Sequence, residues 1–420
     1  MKKGFCQYIG DYRLNRFVIM ADVQDGWMLY NTTTGSVVFV QGVEDLYKSL
    51  DTLIEMYYYV PLAFDEVMWV NKLRAEKTSS SNAKFINGFT IFTTLDCNAN
   101  CFYCYEKSLP RAAMTDSLAK DVAGFIMRAS SDNPVSIRWF GGEPLVNTNA
   151  IDIICSMLKK NGAKFKSSMV TNGLLFTESL ILKAKDLWKL KKVQITLDGT
   201  KDVYQKAKSY KGAVGNEFDR VIENINKLIE AKIRVAVRLN QDFYNTSDLF
   251  ELIDFLASNF RGNNLISVYN SLLFNENVEL DYKLEAEKYE LFKKLQAKII
   301  ECDLFSGYPL KRRLRYSHCM ADNDSSVIIT PKGDVGKCEH FTDQYLVGNI
   351  YDSDLEYDEI SRYKEQYQPT QKCFECPLYP QCIRIKMCPD ERESCSLTQC
   401  ENKIELIQRA LVKEYELLHI

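Results

Sequence analysis

The sequence predicts an α/β protein: a partial (βα)6 barrel between a small N-terminal winged-helix-like domain and a cysteine-rich C-terminal domain. Between residues 86 and 275, six apolar strand-like segments alternate with helical patterns. Such alternation indicates a parallel sheet covered by helices. Of the 14 cysteines, three lie in one loop after the first of these strands and eight follow residue 315. Six βα units are fewer than a closed eight-stranded barrel requires, so we expect an open barrel.

Composition narrows the classes of protein to consider. The chain has 420 residues, of which 46% are hydrophobic and 26% charged, as expected for a folded protein of more than one domain. The net charge of −3 without a large basic region argues against a nucleic-acid partner. No segment is apolar for long enough to span a bilayer, and the N-terminus lacks the apolar stretch of a signal peptide. We therefore expect a cytoplasmic protein without a membrane partner, whose cysteines bind metal rather than form disulfides.

Residues 1–85 form the first predicted domain, in which short strands precede helices. The predicted strands are Tyr12–Asp22, Gly26–Tyr30 and Ser36–Val40, and the predicted helices are Glu44–Tyr57 and Phe64–Lys77. The serine-rich segment Lys77–Asn82 is typical of a linker. Strands followed by helices in so short a segment predict a compact winged-helix-like arrangement.

Residues 86–275 form the second predicted domain. Its predicted strands are Thr90–Leu95, Val135–Phe140, Lys166–Thr171, Val193–Leu197, Ile233–Leu239 and Leu265–Tyr269. Its predicted helices are Asp116–Arg128, Asn149–Lys160, Glu178–Leu187, Glu217–Ala231 and Ser247–Ser258. Ligands of such sheets bind at the carboxyl ends of the strands, and the informative polar residues of this zone follow strand ends.

The rest of the chain divides into a helical bridge, residues 276–315, and a cysteine-rich domain, residues 316–420. A long helix is predicted at Tyr282–Glu301 and a final helix at Asn402–Leu418. Thr330-Pro-Lys-Gly-Asp334 is predicted to be a hairpin turn that delivers Cys338.

The loop after the first strand of the barrel carries the motif Cys97-Asn-Ala-Asn-Cys101-Phe-Tyr-Cys104. Three thiolates spaced C-x3-C-x2-C can bind three irons of a cubane iron–sulfur cluster and leave the fourth iron open. Electron-transfer clusters are usually bound by four cysteines, so an open iron indicates that the cluster also binds a small molecule. The alternatives are three unrelated thiols or part of a zinc site, although zinc sites usually show two cysteine pairs.

Together with Gly141-Gly-Glu-Pro144, this motif resembles the radical S-adenosylmethionine (SAM) superfamily over about residues 86–275. The resemblance implies that Cys97, Cys101 and Cys104 bind a [4Fe-4S] cluster whose open iron chelates SAM. One electron from a reductant such as flavodoxin or ferredoxin then cleaves SAM to a 5′-deoxyadenosyl radical, which abstracts a substrate hydrogen.

The resemblance also implies a set of SAM-binding residues. Tyr103 is expected near adenine, the Gly-Gly-Glu-Pro carbonyls and Glu143 near the SAM amine, Arg238 on the SAM carboxylate, and an asparagine on the ribose. The full set is Tyr103, Gly141, Gly142, Glu143, Pro144, Asn172, Arg238 and Asn240. The alternatives are a tight turn at Gly-Gly-Glu-Pro and a surface ion pair at Arg238. Asp198-Gly199 is interpreted as a strand-ending turn, with a ligand contact as the alternative.

The C-terminal cysteines, with Gly348-Asn-Ile350, resemble the SPASM extension of radical SAM enzymes, which commonly holds two auxiliary [4Fe-4S] clusters. By position, the distal cluster takes Cys373, Cys376, Cys382 and Cys400, and the proximal cluster takes Cys319, Cys338 and Cys388. The gap between Cys382 and Cys388 is longer than usual, and the proximal cluster lacks an obvious fourth ligand. Cys302 and His318 are candidates for it, and Cys395 is unassigned and is an alternative to Cys388 or Cys400. Structural zinc is the alternative for this zone.

SPASM proteins mostly modify peptides and proteins, and the N-terminal domain resembles a winged-helix element that binds a leader peptide as an added strand. The first hypothesis is therefore a maturase of ribosomal precursor peptides that installs a thioether or C–C crosslink. The alternative is an anaerobic sulfatase-maturing, formylglycine-generating enzyme; a binding protein without activity is a third reading. Against the sulfatase type, about 86 residues precede the motif and Glu339 replaces the usual Asp. The catalytic base is unassigned among Glu339, Asp322, Asp324 and Tyr316.

Overall fold

The computed structural model describes residues 5–80, 85–273, 282–304, 310, 314, 317, 319–340, 346–353, 355, 362–386, 388 and 397–418. Its contacts divide the chain into two compact units. The first unit comprises Met1–Asn82, Gly307–His318 and Glu365–Ile420, and the core unit comprises Ala83–Ser306 and Cys319–Lys364. The domain boundaries drawn from the sequence remain predictions.

The N-terminal part of the first unit contains two small antiparallel sheets and three helices. The strands are β1 Tyr8–Ile9, β2 Tyr12–Leu14, β3 Val18–Val23, β4 Gly26–Asn31, β5 Val37–Val40 and β6 Tyr59–Pro61. The helices are α1 Gly42–Lys48, α2 Leu50–Glu55 and α3 Glu66–Ser80. One sheet has the order β1-β2-β6 and the other β3-β4-β5.

Three predictions for this region were wrong in detail. The single strand predicted over Tyr12–Asp22 is two strands, because the Asn15 side chain accepts a hydrogen bond from the Phe17 amide at 2.9 Å and turns the chain. The helix predicted over Glu44–Tyr57 is interrupted at Ser49, which ends α1 and precedes α2. Helix α3 continues through Ser80, so the first part of the predicted linker is helical.

The core unit contains the strands and helices of the predicted barrel. Its parallel strands are β7 Gly88–Thr94, β8 Val135–Gly141, β9 Phe165–Thr171, β10 Leu190–Leu197, β11 Arg234–Gln241 and β12 Ile266–Leu272. Its helices are α4 Asp116–Ser130, α5 Thr148–Lys160, α6 Glu178–Asp186, α7 Lys201–Lys208, α8 Glu217–Glu230, α9 Thr246–Phe260 and α10 Tyr282–Glu301. The six predicted strands and the α/β class are confirmed, whereas α7 was not predicted.

The six parallel strands follow one another in the sheet in the order β12-β11-β10-β9-β8-β7, each paired in parallel with the next. On β10, Val193, Ile195 and Leu197 are fully buried while the residues between them are less so. Helix α4 buries Val122, Phe125 and Ile126, the spacing of one helical face. Alternating strands and amphipathic helices therefore make the apolar core, and all six carboxyl ends point the same way.

Three further strands extend this sheet beyond β7. They are β13 Ser326–Ile329, β14 Asp334–Gly336 and β15 Leu346–Asn349, and β13 pairs in parallel with β7. β13 and β14 are antiparallel, which confirms the hairpin turn at 330–334. The C-terminal segment that carries Cys338 is thus part of the core sheet.

The C-terminal part of the first unit contains α11 Gln371–Glu375 and α12 Leu397–Leu418. Helix α12 lies against β3, where Gln408 Nε2 donates to the Met20 carbonyl at 2.8 Å. Tyr415 also donates to Asp25 at 3.0 Å. In the part of the chain that the structure describes, none of the helices has an apolar stretch long enough to cross a membrane.

Candidate functional site

The segment Cys97–Cys104, here called the cysteine loop, leaves the carboxyl end of β7. All three of its thiols are half-buried and free of disulfides. The following segments hold the loop: Lys211 Nζ donates to the Cys97 carbonyl at 2.8 Å, and the Asn100 amide donates to the Lys208 carbonyl at 2.9 Å. The loop is therefore ordered by contacts with the chain around 208–211.

The three thiols of the cysteine loop are the donor type that iron–sulfur clusters use. No three His, Cys, Asp or Glu side chains among the described residues come close enough together to hold one metal ion. In a cubane each cysteine binds its own iron. Burial raises the pKa of Cys97 to about 12 and that of Cys104 above its usual value. Both thiols must therefore lose a proton to become ligands.

The Gly-Gly-Glu-Pro segment ends β8 and lies against the cysteine loop. A Cβ at Gly141 would lie 2.2 Å from the Thr94 carbonyl oxygen, and one at Gly142 would lie 2.4 Å from that of Asp96. Gly141 also has a φ of +123°. Only glycine permits this backbone approach, so the two glycines set the distance between the end of β8 and residues 94–96, which lead into the cysteine loop. Pro144 begins a short 3-10 helix.

The Glu143 side chain is fully buried and joins the ends of β8 and β9. Its carboxylate accepts hydrogen bonds from Thr171 Oγ1 at 2.6 Å and from the amides of Asn172 at 2.8 Å and Leu145 at 3.1 Å. Burial raises the pKa of Glu143, while these bonds act in the opposite direction. Both of its oxygens have protein donors, so the carboxylate ties the ends of β8 and β9 together, and its contact with the SAM amine remains a prediction.

The ends of the strands also carry buried polar atoms that lack hydrogen-bond partners. Among the described residues these atoms include Arg238 Nε, Asn240 Oδ1 and Asn98 Nδ2. The Arg238 Nη2 donates to Ser271 Oγ at 3.0 Å, which holds the guanidinium in place. Asn172 donates to Asn98 Oδ1 at 2.7 Å beside the cysteine loop. Unsatisfied buried donors and acceptors are costly, so these atoms fit a polar ligand such as SAM.

Tyr103, Asp198 and Lys208, here called the buried trio, connect the cysteine loop to the end of β10. The Tyr103 hydroxyl donates to Asp198 Oδ1 at 2.7 Å and accepts from Lys208 Nζ at 3.0 Å. Lys208 Nζ also lies 3.0 Å from Asp198 Oδ2, an ion pair whose side chains are 4% and 0% exposed. Burial lowers the pKa of Lys208, but nearby groups led by Asp198 raise it well above its usual value.

The sequence interpretation missed this use of Asp198, because a strand-ending Asp-Gly is most often a turn. Lys208 was missed as well. It stands among Lys201, Lys206 and Lys211, and no local pattern distinguishes it. The only available signal was an amphipathic stretch after Gly199, which forms α7.

The segment after β14 brings Cys338 into the core unit beside the chain that follows Cys104. The Tyr105 ring lies 4.4 Å from that of His340, and the Tyr105 hydroxyl donates to the Glu339 carbonyl at 3.5 Å. Burial lowers the pKa of Lys337 to about 8. Cys319 is exposed and Cys338 half-buried.

The residues considered as the catalytic base differ in the polar contacts that they make. Glu339 lies 3.8 Å from Arg138, Asp324 lies 2.7 Å from Lys364, and Asp322 accepts from the Cys319 amide at 3.0 Å. Tyr316 and His318 lie outside the described residues, and Cys302 is buried in the apolar core.

The other C-terminal cysteines that the structure describes belong to the first unit. Cys373 lies in α11 and its carbonyl accepts from the Cys376 amide at 3.1 Å. Arg74 of α3 donates to the carbonyls of Tyr379 at 2.8 Å, Pro380 at 3.0 Å and Cys382 at 3.1 Å. Cys388 is half-buried, the backbone of Cys400 is in α12, and Cys395 lies outside the described residues. The predicted distribution of these cysteines over two clusters remains a prediction.

Residues 91–256 match the family model of the radical SAM superfamily. A GTP 3′,8-cyclase of Clostridium perfringens is 26% identical over 274 residues, which is 61% of this chain and 81% of the relative. The antilisterial bacteriocin subtilosin biosynthesis protein AlbA of Bacillus subtilis is 26% identical over 278 residues, 64% of this chain and 58% of the relative.

Solved structures share the fold over a greater length. Native anSMEcpe with bound AdoMet is 17% identical with a TM-score of 0.59, and the match covers 79% of this chain and 98% of that one. Streptococcus suis SuiB bound to the precursor peptide SuiA is 16% identical with a TM-score of 0.53, and the match covers 91% of this chain and 99% of that one. At these identities the similarity establishes the fold.

Proposed function

This chain carries a radical SAM domain, and from that premise we propose that it is a peptide maturase. It takes a hydrogen from a ribosomal precursor peptide and installs a thioether or a C–C crosslink. The fold implies a [4Fe-4S] cluster and SAM, which together supply the 5′-deoxyadenosyl radical for this abstraction. The chain's own residues bind and orient these groups and keep water out.

In this proposal the cysteine loop binds the first cluster, and the strand ends around it bind SAM. The buried Nε of Arg238 is a free donor for the SAM carboxylate, a pairing that arginine makes well. The unpartnered Asn240 oxygen suits a ribose hydroxyl. Glu143 is proposed near the SAM amine, and its three hydrogen bonds hold the ends of β8 and β9 that shape this site.

The observation that carries the peptide assignment is the folded N-terminal region. Its β3-β4-β5 sheet is followed by α1–α3, and it precedes the radical SAM domain. The fold shared with SuiB, which was solved with its precursor peptide, extends over nine-tenths of this chain. β5 is the sheet edge proposed for an added leader strand, because the Met20 carbonyl on β3 already accepts from Gln408 of α12.

The C-terminal cysteines are proposed to bind two auxiliary [4Fe-4S] clusters, in the arrangement expected from the SPASM resemblance. The first unit supports the distal set by fixing its backbone. Three carbonyls of residues 379–382 are held by Arg74, and Cys373 packs with Phe17, Val70 and Tyr379. A preformed backbone lowers the entropic cost of binding a cluster.

Cyclisation of a nucleotide is the second candidate function. It is favoured by the identity to GTP 3′,8-cyclase over 61% of this chain. Formylglycine formation stays the alternative among peptide reactions, because the anSMEcpe fold matches 79% of this chain. All three activities use the same core, so only the substrate distinguishes them.

The deciding experiment supplies the anaerobically reconstituted protein with SAM, a reductant and one substrate at a time. The substrates are candidate precursor peptides from short open reading frames that flank its gene, a cysteine-containing sulfatase peptide and GTP. Mass spectrometry of a precursor peptide should show the loss of two hydrogens together with 5′-deoxyadenosine formation. Turnover of GTP or an aldehyde on the sulfatase peptide, with the precursor peptides unchanged, would overturn the proposal.

A variant of the β5 edge separates leader binding from catalysis. Val37→Pro on β5 should weaken binding of the full precursor, since the Val37 amide faces away from β4 and proline cannot donate to an added strand. The rate at which SAM is cleaved without peptide should stay the same. Equal precursor affinity in the variant and the wild type would refute the role of β5.

A further inference from the structure

In the buried trio, an ion pair rather than an apolar side chain contacts the proposed metal-binding loop. Removing two charges from water costs several kcal/mol per ion, and this is offset only when the pair is well satisfied. Here Asp198 is bound by both Tyr103 and Lys208, and each of the three side chains has a partner within 3.0 Å.

Lys208 touches the cysteine loop through its backbone as well as its side chain. Its carbonyl accepts from the Asn100 amide at 2.9 Å and lies 3.9 Å from Cys101 Sγ. Its ammonium binds Tyr103, one of the two residues between the second and third cysteines. One residue therefore contacts both halves of the loop.

The two tyrosines next to Lys208 carry no compensating charge. Its Nζ lies 5.9 Å from the Tyr204 ring, and the Tyr204 hydroxyl pairs with that of Tyr210 at 2.7 Å. Burial raises the pKa values of both tyrosines, so both are neutral. Among the described residues, Asp198 is the carboxylate in ion-pair contact with Lys208, while Glu143 interacts with Lys208 at longer range.

We propose that Lys208 is a positioning residue for the first cluster, which docks the cysteine loop on the end of β10 and neutralises Asp198 beside the cluster. This inference rests on the proposed function, because it requires a cluster on Cys97, Cys101 and Cys104. The pair as a whole is neutral, whereas either charge alone would act on the cluster. A positive charge nearby favours the reduced, more negative cluster, and a negative charge disfavours it.

The test measures the midpoint potential of the cluster whose EPR signal changes when SAM is added to the full-length reconstituted protein. Lys208→Met leaves Asp198 alone and should shift this potential to more negative values. Asp198→Asn leaves Lys208 alone and should shift it to more positive values. The double variant, which removes both charges, should return close to the wild-type potential.

Lys201→Met is the matched control. Lys201 is on the same helix and pairs with Asp219 at 2.6 Å, but both side chains are about half exposed. Solvent screens such a pair, so its removal should leave the potential unchanged.

Shifts of the same sign in both single variants, or no shift in either, would overturn the inference. If a single variant does not retain the cluster, the double variant decides, since replacing both partners of a buried pair is often tolerated. Failure of the double variant to hold the cluster would then also overturn it. A wild-type protein without any SAM-responsive cluster would instead refute the proposed function.

Discussion

Glu66, at the start of α3, offers a direct test of how the first unit is held together. Its carboxylate is fully buried and accepts from both terminal nitrogens of Arg13, one at 2.8 Å. Arg16 adds an ion pair at 3.1 Å and a backbone hydrogen bond at 3.3 Å. The group therefore joins β2 and the segment after it to α3, the helix that also holds residues 379–382.

Glu66→Gln should destabilise the first unit by about 2–4 kcal/mol. Breaking a buried ion pair costs about 3–5 kcal/mol, and partial exposure of the arginines reduces this value. The Arg13 and Arg16 side chains are 17% and 40% exposed. A urea titration should show this loss as a midpoint lower by about 1–2 M. Hydrogen exchange of peptides from residues 5–76 reports the first unit separately.

The effect should also depend on pH. Burial raises the pKa of Glu66, but hydrogen bonds from Arg13 and from backbone amides outweigh it, so the net pKa is below its usual 4.5. A depressed folded pKa stabilises the protein above the unfolded pKa, and this contribution is lost as pH falls through the folded value. The difference between wild type and variant should therefore shrink below about pH 4.5.

The control is Glu76→Gln on the same helix, where Glu76 and Lys72 form an exposed pair at 3.9 Å. This variant should unfold like the wild type. Equal midpoints for Glu66→Gln and Glu76→Gln at pH 7, or a difference that persists at low pH, would refute the reasoning.

Three further variants test the site. Gly142→Ala places a Cβ 2.4 Å from the Asp96 carbonyl and should abolish the SAM-responsive EPR signal, whereas Gly124→Ala, whose Cβ would meet nothing closer than 3.5 Å, should keep it. Arg238→Met should raise the Kd for SAM, measured by calorimetry, by roughly 10- to 100-fold, since a charged hydrogen bond is worth about 1.5–3 kcal/mol. Its control is Arg234→Met, on the exposed part of β11, which should leave the Kd unchanged. Arg74→Met removes the donor to three carbonyls at 379–382 and should lower the iron content by about four per chain. A wild-type value for Gly142→Ala, Arg238→Met or Arg74→Met would contradict the role assigned to that residue.

The barrel was predictable from sequence because its signals are local. Apolar strands such as Val193–Leu197 end in Asp-Gly or Asn-Gly, and helices such as Asp116–Ser130 show one apolar face. The cysteine loop and the Gly-Gly-Glu-Pro segment were recognisable by spacing, and their positions at strand ends followed from the alternation.

Features that depend on distant residues were not predictable in this way. The pairing of β13 with β7 joins segments far apart in sequence, and four residues are too few to specify a partner. Lys208 looks like its neighbouring lysines until Asp198 and Tyr103 surround it. The buried position of the Glu143 side chain likewise depends on hydrogen bonds from Thr171, at the end of β9, and from Asn172, which follows it.

The most direct test of the central claim is the formation of 5′-deoxyadenosine from SAM by the anaerobically reconstituted protein. The wild type should form it, and so should Cys155→Ala, which alters a buried thiol outside the cysteine loop. Replacing Cys97, Cys101 and Cys104 together with alanine should abolish it. Continued formation of 5′-deoxyadenosine by the triple variant would show that the radical chemistry does not depend on this loop.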